Sequence, residues 1–359
     1  MFSYVVRRLL LMLPTLLGVT AVVFFVIASA PGGIGASLMS AEGGLRPEER
    51  RVMRAYYTAR YGLDKPLIVQ YFNWLNHVSP IGFKPKIEGF PHWPIGFKAP
   101  DLGEAFSTHR PVATTIIEAL PITLLLELLS LPLIYAISIW TGIRGARSRG
   151  KFVDVTLGFT LIGLYSLPSI WVGVLMIGFL SNVEYVHWFP SNGLHNLMSD
   201  SMTFLPTRIH GHLERGWLVD MAWHLCLPLI CLSYGSFAFL SRLQRGALLE
   251  SLGQDYVRTA RAKGLPERAV VYRHAFRNSL MPMITVAANI LPGLIGGSIV
   301  VETIFGIPGM GKLTIDAVFS RDREVLMAVT LIASLLQLVG NLISDLTYAV
   351  ADPRVSYVD

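Results

Sequence analysis

The stretch Ala119-Leu-Pro-Ile-Thr-Leu-Leu-Leu-Glu-Leu-Leu-Ser-Leu-Pro-Leu-Ile-Tyr-Ala-Ile-Ser-Ile-Trp140 carries one charged side chain, Glu127. Crossing the hydrocarbon core of a bilayer takes about 20 mostly apolar residues. It also takes a helix, because lipid offers no partner to a backbone N–H or carbonyl. Five further runs have this character: Leu9 to Ser29, Val155 to Ser181, Leu225 to Ser241, Ser279 to Val301 and Val325 to Ser344, all without a charged side chain. The expected fold is an all-α polytopic membrane protein with six transmembrane helices. Composition agrees: of 359 residues, 52% are hydrophobic and only 15% are Asp, Glu, Lys or Arg, against about 25% charged in soluble domains. So few charges cannot coat the cores that a soluble chain of this length would build.

The first run has Arg7 and Arg8 before it and Ala28-Ser29-Ala30 after it, which imitates a secretory signal. Its apolar core is longer than the roughly 7 to 15 residues of a signal, so it reads as a retained helix. Basic residues set the orientation. With a cytoplasmic N-terminus, the inner segments hold Arg7 and Arg8, then Arg144, Arg147, Arg149 and Lys151. The third inner segment holds Arg242, Arg245, Arg258, Arg261, Lys263, Arg268, Arg273 and Arg277, and the tail holds Arg354. The short outer loops hold only Arg208, Arg215, Lys312, Arg321 and Arg323. The positive-inside rule therefore places both termini in the cytoplasm. The net charge of +6 reads as topology and not as a nucleic-acid footprint.

The domain reading follows: 1–30 as N-terminus and first helix, 31–116 as an extracytoplasmic loop or cap, 117–350 as a five-helix membrane core with a cytoplasmic loop at 242–280, and 351–359 as a tail. The outer loop is too long for a bare connector. It begins Pro31-Gly32-Gly33, offers a helical stretch from Pro47 to Arg60, and repeats Ile81-Gly-Phe-Lys84 as Ile95-Gly-Phe-Lys98, which suggests a hairpin and a structured first outer loop.

The cytoplasmic loop is the most informative segment. Asp255-Tyr256-Val257-Arg258-Thr259-Ala260-Arg261-Ala262-Lys263-Gly264 reads as a helix with Arg261 and Lys263 in its last turn, where cations complement the dipole, and Gly264 at the left-handed C′ position. Pro266 then fits the first position of a second helix, with Glu267 beside it. On that helix Ala269, Tyr272, Ala275, Phe276 and Ser279 share a face at 3- and 4-residue spacing. A short, rigid helix pair fused to spans on both sides suits a cytoplasmic partner; a basic amphipathic segment lying on anionic headgroups is the plainer reading.

This loop, with Tyr272-Arg-His-Ala-Phe-Arg-Asn278 and Pro282, resembles the coupling loop of the permease subunits of ABC importers, in the form seen in the dipeptide, oligopeptide and nickel group. The resemblance extends through Arg60-Tyr-Gly-Leu-Asp-Lys-Pro-Leu67, Gln70-Tyr-Phe-Asn-Trp74, Asp101-Leu-Gly103, Ser166-Leu-Pro-Ser-Ile-Trp171, Phe189-Pro190 with Gly193, His224-Leu-Cys-Leu-Pro228, Ile307-Pro-Gly-Met-Gly311, Arg321-Asp322 and Asp352-Pro-Arg354. The generic Glu-Ala-Ala-three-residues-Gly motif of such permeases keeps only Ala260 and Gly264, since Arg258 and Thr259 replace its Glu and first Ala. The resemblance implies a non-catalytic permease subunit in a prokaryotic cytoplasmic (inner) membrane, moving di- or oligopeptides or peptide-like compounds. It implies as partners a second homologous permease subunit, two cytoplasmic ATPase subunits and an extracytoplasmic substrate-binding protein. No cofactor resides in this chain, ATP and Mg belonging to the ATPases. The ATPase-docking loop would comprise Asp255, Tyr256, Arg258, Thr259, Ala260, Arg261, Ala262, Lys263, Gly264 and Pro266. A nickel or metal-chelate permease of the same group and a stand-alone membrane enzyme or scaffold are the alternatives.

Gly306-Ile-Pro-Gly-Met-Gly-Lys-Leu313 nearly spells a phosphate-binding loop but has Leu313 where Ser or Thr must reach magnesium, and no strand precedes it. It reads as a structural turn. The nine histidines lie in loops or at a span end, so no catalytic dyad forms within the membrane. His210-Gly-His212 with His195 or His224 is too loosely spaced for a metal site, and Cys226 and Cys231 read as buried thiols. Polar residues within spans are costly and often functional, which makes Glu127, Asn289, Gln337 and Asn341 the candidates to line a translocation path. Gly293, Gly296 and Gly297, with Pro282 and Pro292, suit close helix packing or a flexible gate.

Overall fold

The structure is a computed structural model. It describes residues 2–29, 62, 64–83, 95–209, 212–290 and 299–351, with the isolated positions 48, 51, 55 and 58. Of the expected helix over 47–60 only those four isolated positions, all helical, are described, and the glycines at 293, 296 and 297 and residues 352–359 of the tail lie outside the described residues.

Among the described residues four helices are long and apolar enough to cross a membrane: Val6–Ser29, Val112–Arg147, Gly216–Leu252 and Arg323–Leu346. They belong to α1 (Phe2–Ser29), α3 (Val112–Arg147), α6 (Gly216–Leu252) and α13 (Arg323–Ala351). The short α2 (Leu67–Val78) lies between the first two. The third expected span is not one straight helix. It forms α4 (Phe152–Ser166) and α5 (Ser169–Met176), the latter extended by a π-helical turn, Ile177–Ser181. The two halves meet at 92°. Pro168 lacks an N–H and biases the residue before it toward extended backbone, and Leu167 has ψ 125. The carbonyl thereby freed accepts the Tyr234 hydroxyl at 2.6 Å, and the Ser169 carbonyl receives Cys231 Sγ at 3.4 Å. In a membrane such compensation is what permits a break. Over the fifth expected span, residues 291–298 lie outside the described residues; α10 (Met281–Ile290) precedes them and α11 (Ile299–Ile304) follows.

The described residues fall into two compact units, one drawn from Met1–Ala119 and Leu313–Val339, the other from Leu120–Lys312 and Gly340–Ser356. In the first, Phe24, Tyr71, Trp74, Val78 and Met327 form the core. Tyr71 presents its apolar body to that core while its hydroxyl donates to the Leu17 carbonyl at 3.0 Å and meets Thr20 Oγ1 at 3.0 Å. The repeated tetrapeptides do form a hairpin pair: β1 (Ile81–Phe83) and β2 (Ile95–Phe97) are antiparallel, with Gly82 opposite Gly96. Asp322 accepts the Ser107 N–H and hydroxyl at 3.1 and 3.2 Å and the Val325 N–H at 3.3 Å, so it caps α13 and holds the loop before α3.

In the second unit, Leu126, Leu225, Leu227, Cys231, Val301, Phe305 and Ile307 make one apolar core. A second gathers Ile143, Ala146, Leu248, Val257, Ala260, Val270 and Ala275. That second core belongs to the basic loop.

Candidate functional site

The loop after α6 is a compact helical knob. α6 stops at Leu252 with Gly253 as its C-cap, and α7 (Asp255–Ala262) follows. Val257 and Ala260 point into the core, at 0% and 5% exposure, while Arg258, Thr259, Arg261, Ala262 and Lys263 are exposed. At the end of α7 the Gly264 N–H donates to the Arg261 carbonyl at 2.9 Å and the Leu265 N–H to the Ala260 carbonyl at 3.4 Å. This is the Schellman pattern, and it needs a left-handed C′ residue. Gly264 has φ +74, with nothing within 4 Å of where a Cβ would lie. Glycine is therefore required here by backbone conformation and not by crowding.

The second helix departs from expectation in two ways. Pro266, with ψ 142, is the N-cap and not the first helical residue; the helix begins with α8 (Glu267–Ala269). Next comes a π-helical segment, Val270–Ala275, and then α9 (Phe276–Ser279). Bonding i to i+5 widens the turn and rotates the side chains that follow. The buried face consequently runs Val270, Val271, Ala275 and Ser279, whereas Tyr272, expected on it, is 43% exposed.

Four polar contacts fasten the knob. Ser251 Oγ donates to the Ala275 carbonyl at 2.9 Å and also meets the Tyr256 hydroxyl. Gln244 Nε2 donates to Ser279 Oγ at 2.9 Å in a fully buried site. Across the turn, Arg261 grips Glu267 through both nitrogens, Nε to Oε2 at 3.2 Å and Nη2 to Oε1 at 2.8 Å. That hydrogen-bonded guanidinium holds the Glu267 carboxyl below the usual carboxylate range, with a smaller pull from Arg147. Asp255 and Arg258 pair on the surface at 3.1 Å. Below the knob, Arg245 holds Asp154 bidentately at 2.6 and 2.7 Å, and Asp154 also accepts the Gly150 N–H at 3.0 Å. The start of α4 is thus tied to α6. The outcome is a small rigid projection, continuous with α6 and packed on α3.

The candidate path residues are placed as follows. Glu127 is half-buried on α3 and accepts the Ser130 hydroxyl at its carbonyl, 3.1 Å, and at Oε2, 3.4 Å. Gln337 is exposed and Asn341 half-buried on α13. Asn289 falls in α10, and its side chain lies outside the described residues. His210 is likewise outside them. His224 lies within α6, its Nδ1 2.9 Å from the Asp220 carbonyl. Among the described residues no group of three or more His, Cys, Asp or Glu is placed to hold a metal ion.

One constellation had no clear sequence signal. Glu302 is 0% exposed. Its Oε1 accepts the Thr123 hydroxyl at 2.9 Å, its Oε2 accepts the Lys312 N–H at 3.0 Å, and Thr123 Oγ1 in turn accepts the Met310 N–H at 2.8 Å. The near phosphate-loop sequence is a turn, and it wraps a carboxylate of the same chain.

The described residues thus combine several long apolar helices with a compact, basic helical knob after α6. Residues 134–357 match the binding-protein-dependent transport system inner membrane component, and residues 1–127 match the N-terminal part of that membrane component. The chain belongs to this family, the inner-membrane permease subunits of ABC importers. It is 37% identical over 359 residues to the oligopeptide transport system permease protein AppB of Bacillus subtilis, covering 99% of this chain and 100% of that protein. It is 33% identical over 381 residues to the peptidoglycan transport system permease protein YejB of Agrobacterium fabrum, and 33% identical over 368 residues to the dipeptide transport system permease protein DppB of Escherichia coli. In both cases 99% of each chain is covered. It is a multi-pass inner-membrane transport component and not an enzyme.

Proposed function

We propose that this permease translocates di- or oligopeptides or peptide-like compounds, and that its knob, Asp255 to Pro266, is where an ATPase subunit docks. The carrying observation is mechanical. An exposed helix, closed by the Schellman turn at Gly264 and the Arg261–Glu267 clamp, is fused to α6 and pinned by Ser251 and Gln244. A push on it cannot be absorbed locally, because the apolar core beneath it is close-packed. Peptide as substrate class rests on the oligopeptide and dipeptide permeases to which the chain is similar over its whole matched length.

In this reading both termini and the knob are cytoplasmic, and the long first loop is on the outside. Two ATPase subunits supply ATP and Mg, this chain holding no cofactor. A second homologous permease subunit completes the path, with Glu127, Asn289, Gln337 and Asn341 as this chain's polar contributions, and an extracytoplasmic binding protein delivers substrate. ATP binding biases the knob between two positions, and differential affinity for substrate in those states gives direction. The test is peptide uptake and ATP hydrolysis in the reconstituted transporter carrying Arg261→Glu and Lys263→Glu. The expected result is normal membrane insertion with hydrolysis no longer linked to uptake; unchanged uptake overturns the docking assignment.

A further inference from the structure

We propose that the crevice where α3 meets the start of α4 is a binding site for an anionic phospholipid. A cavity of about 550 Å³ opens there, its apolar floor including Ile139, Ile143 and Val153, with Arg144 and Arg147 at its edge and Trp140 and Tyr272 beside them. The arginines stand one helical turn apart at the C-terminal end of α3, where the apolar run gives way to charge. The Arg144 guanidinium lies 5.4 Å from the centre of the Trp140 ring. Both arginines are exposed, and among the described residues neither makes an ion pair; the carboxylate that Arg147 feels through space, Glu267, is itself gripped by Arg261. Their basic neighbours differ: Arg245 is committed to Asp154 and Arg261 to Glu267. Like charges one turn apart repel, by some tenths of a kcal/mol, and a bound anion turns that repulsion into attraction.

The chemistry of the occupant follows from the two halves of the crevice. Two adjacent guanidiniums match a phosphate diester, which they can hold by charge-assisted hydrogen bonds. Aromatic side chains at this level suit the headgroup region. The floor accepts hydrocarbon, and α4 continues the apolar surface with Phe152, Val155 and Phe159, which are 83%, 49% and 75% exposed. A free phosphate would leave the apolar lining wet, and an acidic protein loop would bring no hydrocarbon to it. A diacyl phospholipid with a net negative headgroup satisfies both, in line with basic pockets between membrane helices elsewhere.

The experiment is lipid retention by the full-length protein, purified from nanodiscs of 1:1 phosphatidylglycerol and phosphatidylcholine and read by native mass spectrometry. Phosphatidylglycerol should stay bound in preference to phosphatidylcholine, and R144Q/R147Q should lower its retention about tenfold. R149Q/K151Q removes equal charge beside the crevice and should leave retention unchanged. Val153→Trp fills the floor with both arginines intact and should also release the lipid, a check that does not depend on the arginine variants folding. Equal loss in the two charge-removing variants, equal retention of both lipids, retention in Val153→Trp, or displacement by millimolar glycerol 3-phosphate would each overturn the proposal.

Discussion

Thr123 donates its hydroxyl hydrogen to Glu302 Oε1 at 2.9 Å while its oxygen accepts the Met310 N–H at 2.8 Å. One hydroxyl thus joins a buried carboxylate to the start of α12 (Met310–Phe319). Anions are favoured at helix N-termini because unpaired N–H groups converge there. Here the anion is a side chain, and the glycines give it room: a Cβ on Gly309 would lie 2.6 Å from the Glu302 carboxylate, and one on Gly311 2.7 Å from the Ile299 backbone nitrogen.

Replacing Glu302 by Ala should therefore strand the Thr123 hydroxyl and the Lys312 N–H. A buried donor without a partner costs about 1 to 3 kcal/mol, so Glu302→Ala should lower the unfolding midpoint in detergent by several degrees. Glu302→Gln keeps the shape and one acceptor and should fall between wild type and Ala. Thermal unfolding of the purified subunit measures both.

Gly264→Ala should be mild and Gly264→Pro severe. With open space around the missing Cβ, alanine meets only the left-handed backbone, φ +74, at about 1 kcal/mol. Proline fixes φ near −65° and removes the N–H that bonds Arg261. Hydrogen exchange over 255–270 should rise slightly for the first and collapse to loop-like rates for the second, with uptake following the same order.

How much of this could be read ahead varied with the range of the interactions. The left-handed Gly264 and the helices around it are set within a few residues, so glycine, capping and charge announced them. The hydrophobic runs announced helices, but hydropathy averages over a bend, and the 92° turn at Leu167-Pro168 needs Tyr234, distant in sequence, to donate its hydroxyl to the freed Leu167 carbonyl. The π segment shifted the buried face from Tyr272 to Val271 because its widened turn answers to packing on α6 and α3, not to local propensity. Glu302 is the extreme case. Its partner Thr123 lies 179 residues away, and nothing near either residue points to the other.

Exchanging the clamp partners separates rigidity from presented charge. Arg261→Glu alone places two carboxylates across the turn and should loosen it. Combined with Glu267→Arg, it restores an opposite pair and should recover exchange protection, while uptake stays low because the charge offered to the ATPase is reversed. Protonation adds a second check. Glu267 has a depressed pKa, so the clamp's contribution is complete above the ordinary carboxylate value, about 4.3, and is lost as pH falls through the lower folded value. Protection of the turn should be level from about pH 5 to 8 and decline only in stronger acid, a decline absent in Glu267→Gln. The amplitude should be small, as it is for exposed pairs generally.

Asp154→Asn should show that α4 is positioned by charge. Asp154 is 8% exposed and accepts both Arg245 nitrogens and the Gly150 N–H, and Gly145 leaves the arginine room, since a Cβ there would lie 3.2 Å from Arg245 Cδ. Asparagine is nearly isosteric but offers one acceptor oxygen, and its NH₂ opposes a guanidinium. The change should remove one arm of the fork and cost about 1.5 to 3 kcal/mol, the range for hydrogen bonds to charged groups. Arg245→Lys keeps the charge without the planar fork and should lose part of that. Arg245→Met with Asp154→Leu removes both charges together, so no ion is left unpaired, and should be closer to wild type than either single removal. Unfolding in detergent orders the variants. If Asp154→Asn were neutral while the double apolar variant was strongly destabilised, packing at this junction, and not the ion pair, would be what holds α4 to α6.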